Sequence, residues 1–337
     1  MSELTTGNPT LLDLASRSDP NGNIQVVVEV LDQVNEIFDD ITFVEGNLPT
    51  GHRTSVRSGI PTPTWRKLYG GVQPTKSRTT QVTDSTGMLE AYAEVDIALA
   101  DLNGNTAAFR MSEDIPHLEG ISQEFTDTLI YGNETTEPEA FTGFAPRFND
   151  LSAENADNII DAGGTGSDNA SIWLVGWSPN TCHGIVPQGS TAGIRQEDKG
   201  QVTIEDVDGS GGRMEAYRTW YRMDAGLTVR DWRYVVRICN IDKSLLSTVY
   251  TAGAFSTGAH LSELMFQAME LIPNLSSARF AFYMSRTIRT KVRQQVAAAV
   301  QGSTLESEMV GGKLVERFHG IPLRRCDALA ADEARVT

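Results

Sequence analysis

The stretch from Asn47 to Thr83 limits what this chain can fold into more than any other part of it. It carries Arg53, Arg57, Arg66, Lys67, Lys76 and Arg78 and not one Asp or Glu. Pro49, Pro61, Pro63 and Pro74 remove amide donors, while Gly51, Gly59, Gly70 and Gly71, with Gly46 just ahead, loosen the backbone. A compact helix is excluded over such a stretch. Thr62–Tyr69 and Thr79–Thr83 are candidates for two strands of a long ribbon, and a solitary two-stranded ribbon does not hold itself up in water. The flanks are acidic. Residues 1–45 hold nine acids against Arg17, and residues 84–161 hold seventeen against Arg110 and Arg147. A basic, turn-rich arm between acidic flanks suits a loop that lies on a neighbouring copy of the same chain.

At 337 residues the chain can bury a large core, in one elongated or two compact domains. A formal net charge of −16 argues against a general nucleic-acid binder, because phosphate contacts need clustered Lys and Arg. No run of about 18 apolar residues exists, so no membrane span is expected. The N-terminal MSELTTGNPT has neither the basic nor the apolar region of a secretory signal, which predicts folding in the cytoplasm. Cys182, Cys239 and Cys326 lie far apart, with no CxxC pair, and read as free buried thiols.

Taken in order, Thr10–Arg17 reads as a short helical piece broken by Asp19-Pro20-Asn21-Gly22. Ile24, Val27, Val28, Leu31, Val34, Phe38 and Ile41 recur on one helical face. After the basic stretch, Leu89, Ala91, Ala93, Val95, Ile97 and Leu99 alternate with Glu90, Tyr92, Glu94 and Asp96, the period of a half-buried strand. Ser112-Glu-Asp reads as a helix start, followed by an apolar stripe of Ile115, Leu118, Ile121, Phe125 and Leu129. That predicts one long helix over Ser112–Tyr131, with Pro116 in its tolerant first turns. Asn133–Ala170 reads as loop, and Ser171–Trp177 as a buried strand. Gln201–Val207 and Met214–Tyr221 flank Asp208-Gly-Ser-Gly-Gly as a hairpin, and Leu227–Val229 and Tyr234–Ile238 continue the β pattern. Thr257 would cap a helix carrying Leu261, Leu264, Met265, Ala268 and Ile272, stopped by Pro273. Arg279–Met284 is a strand, Ser285 caps a helix running through Val300, and Lys313–Phe318 and Ile321–Arg325 are strands joined by His319-Gly320. The tail Ala330–Thr337 is expected to fray.

Enzyme motifs are missing: no GxxxxGK[ST], no GxSxG and no HExxH. His52, His117, His183, His260 and His319 are scattered singly. Cys182 and His183 are adjacent, and neighbours on a strand point to opposite faces, so they make a poor nucleophile and base. Asp206-Val-Asp208-Gly-Ser210 resembles part of a calcium loop, but Tyr217 stands where the closing Glu belongs. No catalytic residue, cofactor or metal ligand is assigned. The arginines of residues 213–237 interleave with Tyr217, Trp220, Tyr221, Trp232 and Tyr234. That pattern suits single-stranded nucleic acid, but better suits paired strands whose long side chains cover apolar neighbours.

Phe280-Ala-Phe-Tyr-Met-Ser-Arg-Thr-Ile-Arg is similar to the strand ending in an M-[NS]-R-T helix start found in major capsid proteins of tailed bacteriophages, and Phe318-His-Gly-Ile-Pro-Leu-Arg-Arg-Cys-Asp-Ala-Leu resembles their closing G-[IV]-P hairpin. The order of elements over nearly the whole chain resembles the same family, the Hong Kong 97-like fold. Gly226-Leu-Thr-Val-Arg-Asp-Trp-Arg-Tyr is similar to the short-tailed phage type. The resemblance implies an α+β fold divided into an N-terminal arm (1–46), an extended loop (47–83), a peripheral domain with a long spine helix (84–167), an axial domain (168–300) and a return to the peripheral domain (301–337).

The resemblance further implies a structural protein that assembles into hexamers and pentamers of an icosahedral head enclosing double-stranded DNA, built in the host cytoplasm. Implied partners are other copies of the chain, a separate scaffolding protein, a portal, a possible cement protein and non-specifically contacted DNA. Some relatives cross-link a loop Lys to a neighbour's Asn. Lys67 and Lys76 fit by location, but no matching Asn is identifiable, so no covalent link is expected. The expected subunit interface sets Arg53, Arg57, Arg66, Lys67, Lys76 and Arg78, with the apolar anchors Trp65, Leu68 and Tyr69, against Glu90, Glu94 and Asp96 of the next copy. Arg286, Arg289, Lys291 and Arg293 are expected to form a cationic helix face. Two rivals are an encapsulin-like compartment shell and an acidic β-rich hydrolase.

Overall fold

The computed structural model describes residues 33, 35–104, 106–205, 211–247, 250–251, 254–255, 257–298, 305–310, 313–330 and 332–337. The strands are β1 (Phe43–Glu45), β2 (Gly51–Gly59), β3 (Arg78–Asp96), β4 (Ile159–Asp161), β5 (Asn169–Trp177), β6 (Cys182–Val186), β7 (Arg195–Glu205), β8 (Arg213–Val229), β9 (Val235–Asp242), β10 (Tyr250–Thr251), β11 (Ala254–Phe255), β12 (Arg279–Met284), β13 (Leu305–Val310), β14 (Lys313–Phe318) and β15 (Ile321–Arg325). The α-helices are α1 (Ile97–Ala100), α2 (Thr106–Tyr131), α3 (Leu261–Leu271) and α4 (Arg286–Ala298). The chain divides into two compact units. One comprises residues 34–87, 127–191 and 225–337, the other residues 1–33, 88–126 and 192–224.

The larger unit is built on β5, whose nine positions are all buried. It pairs antiparallel with β9 on one side and β12 on the other, and β12 pairs parallel with β15. Ile172, Leu174, Val236, Ile238, Phe282 and Met284 share a core with Leu261 and Met265 of α3 and Ile288 and Val292 of α4. The opposite face of β5 carries Trp173 and Trp177, packed on Phe144 at 5.7 and 5.9 Å between ring centroids. Both faces of the strand are therefore covered, which is why its sequence reads as an unbroken apolar run. In the smaller unit β7 and β8 form an antiparallel hairpin, with a register shift between Asp198 and Gly200. Gly200 supplies the positive φ of 70° there, and its N–H donates to Asp198 Oδ1. Beside this hairpin Val95, Ala100 and Phe109 form a small core with Leu99 and Tyr217.

Several boundaries differ from expectation. Thr62–Tyr69 is not a strand: the ribbon is made by β2 and β3 instead, and residues 60–77 have no strand. Pro61 and Pro63 lack the N–H a ladder needs, whereas the polar run His52–Arg57 is free to pair. The strand expected over Leu89–Leu99 stops at Asp96, whose carboxylate caps α1 by accepting from Ala98 N–H at 2.8 Å. The long helix begins at Thr106, not Ser112. The Ser112 hydroxyl donates to the Phe109 carbonyl inside the helix, and Pro116 is also interior. The apolar stripe is buried from Ile121 onwards, while Ile115 is 43% exposed.

Thr257 is not a helix cap, because its hydroxyl donates to the Leu245 carbonyl, and His260 stands at the N-cap of α3. Ser285 lies just before α4, and Ile288 N–H points to its hydroxyl oxygen at 3.5 Å. Within the N-terminal helix expected to end at Ile41, Glu36–Asp39 forms a 3-10 turn, and Phe43–Glu45 just beyond it is a strand; residues 23–32 and 34, with Thr10–Arg17, lie outside the described residues. So does Asp206–Ser210. Ile159–Asp161, expected as loop, pairs parallel with β9.

The C-terminal segment is not frayed. Glu333 is 8% exposed and accepts from Arg237 at 2.8 Å, from Tyr131 at 2.6 Å and from Ser171. Val336 N–H donates to Asn240 Oδ1, and the Asn240 side-chain amide donates to the Val336 carbonyl, both at 2.9 Å. The expectation of fraying weighed exposure and overlooked that a buried Arg needs a carboxylate partner.

Candidate assembly interface

The ribbon has a fixed root and a bare tip. Its register runs from Gly51 opposite Ser85 to Gly59 opposite Arg78, with an irregularity between Arg57 and Gly59. At the root Asn47 acts as a clamp: its side-chain amide donates to the Arg53 carbonyl at 2.8 Å and its Oδ1 accepts from Arg53 N–H at 2.7 Å. A Cβ on Gly51 would lie 2.2 Å from the Asp84 carbonyl oxygen, so only glycine fits there. Asp84 itself is buried and pairs with Arg147 at 2.9 Å. The same Arg147 guanidinium donates to the carbonyls of Thr142, Gly143 and Leu227. Ser85 Oγ donates to Glu134 Oε2 at 2.8 Å.

Beyond Gly59 these ties end. Residues 60–77 carry one turn, closed by Gly70 N–H donating to the Lys67 carbonyl at 3.0 Å, with Tyr69 at a positive φ of 61°. Trp65 and Tyr69 are as exposed as in an open chain (104% and 105%), Leu68 is 86% exposed and Ile60 84%. Large apolar side chains bared together mark a surface built to meet another molecule. Arg57, Arg66, Lys67, Lys76 and Arg78 are exposed, and among the described residues none of them forms an ion pair. Arg53 is also exposed, and its Nε donates to Thr83 Oγ1 at 3.2 Å.

The expected acidic half of the interface is engaged within its own subunit. Glu94 accepts from Arg218 at 2.6 Å, Glu90 pairs with Arg222 at 3.4 Å and accepts from Trp220 Nε1 at 3.3 Å, and Asp96 caps α1. The arginines of β8 cover aromatic rings, as the paired-strand reading anticipated: Arg218 lies over Tyr92 at 5.5 Å and Arg222 over Trp220 at 6.0 Å. The expected cationic face of α4 is largely neutralised. Arg289 and Arg293 both reach Glu316, Arg286 pairs with Asp327, and Lys291 Nζ donates to the Leu246 carbonyl. Sequence spacing shows which charges share a helix face but not which acids another strand brings opposite them.

Sequence reasoning also missed Asp40. It is 4% exposed and accepts from Arg324 through both oxygens at 3.0 Å, from the Tyr283 hydroxyl at 2.9 Å and from Arg279 at 3.1 Å. These contacts pin the segment after the 3-10 turn across β12 and β15. Cys182, Cys239 and Cys326 are free and buried, and burial raises all three thiols, Cys239 to about 11 and Cys326 to about 12. No grouping of three or more metal-ligating side chains occurs among the described residues.

The larger unit thus carries a ribbon tethered at its root and ending in a bare, cationic, aromatic tip. Over their whole lengths this chain and a chain of the near-atomic cryo-EM structure of bacteriophage Epsilon15 superpose with a TM-score of 0.77 and 36% sequence identity. A weaker likeness, with a TM-score of 0.48 and 8% identity over 89% of this chain and 92% of the other, links it to the bacteriophage JBD30 capsid. The fold is that of the Hong Kong 97-like phage capsid subunits. Residues 19–337 match the family model of the major capsid protein GP7, and the chain belongs to that family. It is a structural major capsid protein of a tailed phage, a component of the virion shell. No match is found among curated proteins.

Proposed function

We propose that copies of this chain associate head to tail into hexamers and pentamers of an icosahedral head, with each ribbon tip clasping the adjacent subunit. Rings arise from heterologous contacts of this kind wherever the rotation closes. The observation that carries the reading is the tip itself, where Trp65, Leu68 and Tyr69 contact almost nothing of their own chain. Exposed ion pairs contribute only about 0–1 kcal/mol each. Arg53, Arg57, Arg66, Lys67, Lys76 and Arg78 therefore steer encounter and set register, and the three apolar anchors carry the affinity. Since Glu90, Glu94 and Asp96 already have partners in their own chain, their part in the contact is a shared field, not new one-to-one pairs.

The proposed division assigns 47–83 to the extended loop, 84–167 to a peripheral domain, 168–300 to an axial domain, and 1–46 and 301–337 to an arm and a return segment. Assembly takes place in the host cytoplasm around packaged double-stranded DNA, with a separate scaffolding protein, a portal and a possible cement protein as partners, and the chain has no enzymatic role. The test is electron microscopy of two variants, Arg66→Glu/Lys67→Glu and Trp65→Ala/Leu68→Ala/Tyr69→Ala. Both should purify as folded subunits and fail to form shells, the apolar variant more completely. Normal shells from both would refute the clasp.

A further inference from the structure

The ribbon root holds polar side chains that the assembly reading does not use. His52 on β2 stands opposite Asp84 on β3, and His183 on β6 stands opposite Thr228 on β8. The two imidazoles meet edge to face, with centroids 5.8 Å apart and planes at 76°. His183 is 1% exposed and, among the described residues, neither ring nitrogen makes a geometrically defined hydrogen bond, although the Ser178 backbone favours its charged form. Asp84 Oδ2, Thr54 Oγ1 and Thr228 Oγ1 are buried and unpartnered as well. Buried polar atoms are nearly always paired, so five orphaned ones around one contact call for a physical reason.

We propose that the His52–His183 contact is a proton-operated release of the ribbon root: a proton on either imidazole parts β2 from β6 and frees the ribbon, while the sheet beneath stays folded. The charges around the pair favour this outcome. Arg230 follows β8, its Nη1 held by the Pro179 carbonyl at 3.0 Å, and Arg147 faces Asp84. Asp84, the carboxylate opposite His52, already neutralises Arg147 through Oδ1. Cys182, next to His183, stays a neutral thiol because burial pushes it up. A new imidazolium would therefore meet the Arg230 guanidinium and a carboxylate already committed to Arg147.

The direction of the effect follows from the two histidines. Burial is the largest cause lowering each. His52 and Arg230 lower His183 further, to about 4, and Arg230 lowers His52 while Asp84 partly opposes it. The folded root thus binds fewer protons than the unfolded chain, whose histidines titrate near 6.5. Its stability is complete above that value and is lost progressively as pH falls towards about 4.

The test is hydrogen exchange on unassembled full-length subunits, corrected for intrinsic rate, so that it reads the root whether or not the clasp holds. Between about pH 7.5 and about pH 4.5, peptides from β2 and residues 78–87 should lose at least about tenfold in protection while β9 and β12 keep theirs. His183→Gln should remove most of that loss, leaving the smaller part that His52 carries, and His52→Gln should move it to lower pH by deleting one repulsion. If His183→Gln fails to fold, the His52→Gln shift decides. Unchanged wild-type protection over that range, or an acid loss left intact by the variants that fold, overturns the proposal.

Discussion

Single side chains decide how the larger unit is locked. Arg237 is 3% exposed and is held by Glu333, by Ser171 Oγ at 3.1 Å and by the Phe148 carbonyl at 2.8 Å, with its guanidinium 5.1 Å from the Trp173 ring centre. A paired buried charge is weak evidence of net stability, but stripping one partner leaves an uncompensated ion. Glu333→Gln should therefore cost about 3–5 kcal/mol, read as a lower urea midpoint. Adding Arg237→Met to it should restore much of the loss. None of this was legible in the sequence. Arg237 sits within a mostly apolar run that reads only as a strand, and Glu333 lies 96 positions away in a stretch that reads as a loose tail. The same holds for Asp40, whose partners Tyr283 and Arg324 lie 243 and 284 positions on.

Among the elements, several were read correctly: β5 and β12 from apolar runs, β14 and β15 from the His319-Gly320 turn between them, and α4 from its cap at Ser285. Element ends were read poorly where a polar group could serve two purposes. Ser112 with the acids after it makes a plausible helix start, but nothing in residues 106–111 opposes helix, so α2 runs back to Thr106. The ribbon was recognised as extended and Thr79–Thr83 does lie within β3, but its other strand was misplaced, because apolar content marked Thr62–Tyr69 and the prolines beside it forbid pairing. Its root is close-packed backbone against backbone. Gly51→Ala should push β2 off β3, costing about 1–3 kcal/mol as overpacking does. The cost should appear as lost exchange protection confined to the root while β9 is unaffected.

For the whole molecule, the acid-free stretch pointed to an intersubunit loop, and the Phe280–Arg289 and Phe318–Leu329 motifs with the order of elements carried the functional reading, while the charge of −16 argued only against a nucleic-acid binder. What the sequence did not show is that two of the acids expected to receive the ribbon, Glu94 and Glu90, are engaged within their own chain by Arg218 and Arg222. If the cations steer and the apolar anchors hold, salt will separate the two roles. Raising salt from about 0.05 M to about 0.5 M should slow the initial rise of light scattering during assembly several-fold, because the screening length shortens threefold. The final yield of shells should change little. A yield that collapses in parallel with the rate would show that charge, not Trp65, Leu68 and Tyr69, holds the contact.

The three prolines of the tip bear on how such a subunit survives before it meets its neighbours. A bare run containing Trp65, Leu68 and Tyr69 is the kind of segment that stacks with identical copies into cross-β fibres. Pro61, Pro63 and Pro74 deny each strand of such a stack its full set of amide donors, and the like charges of Arg66, Lys67 and Lys76 repel in register. The stickiest part of the chain is thus barred from self-templated stacking, and docking on a folded surface remains open to it.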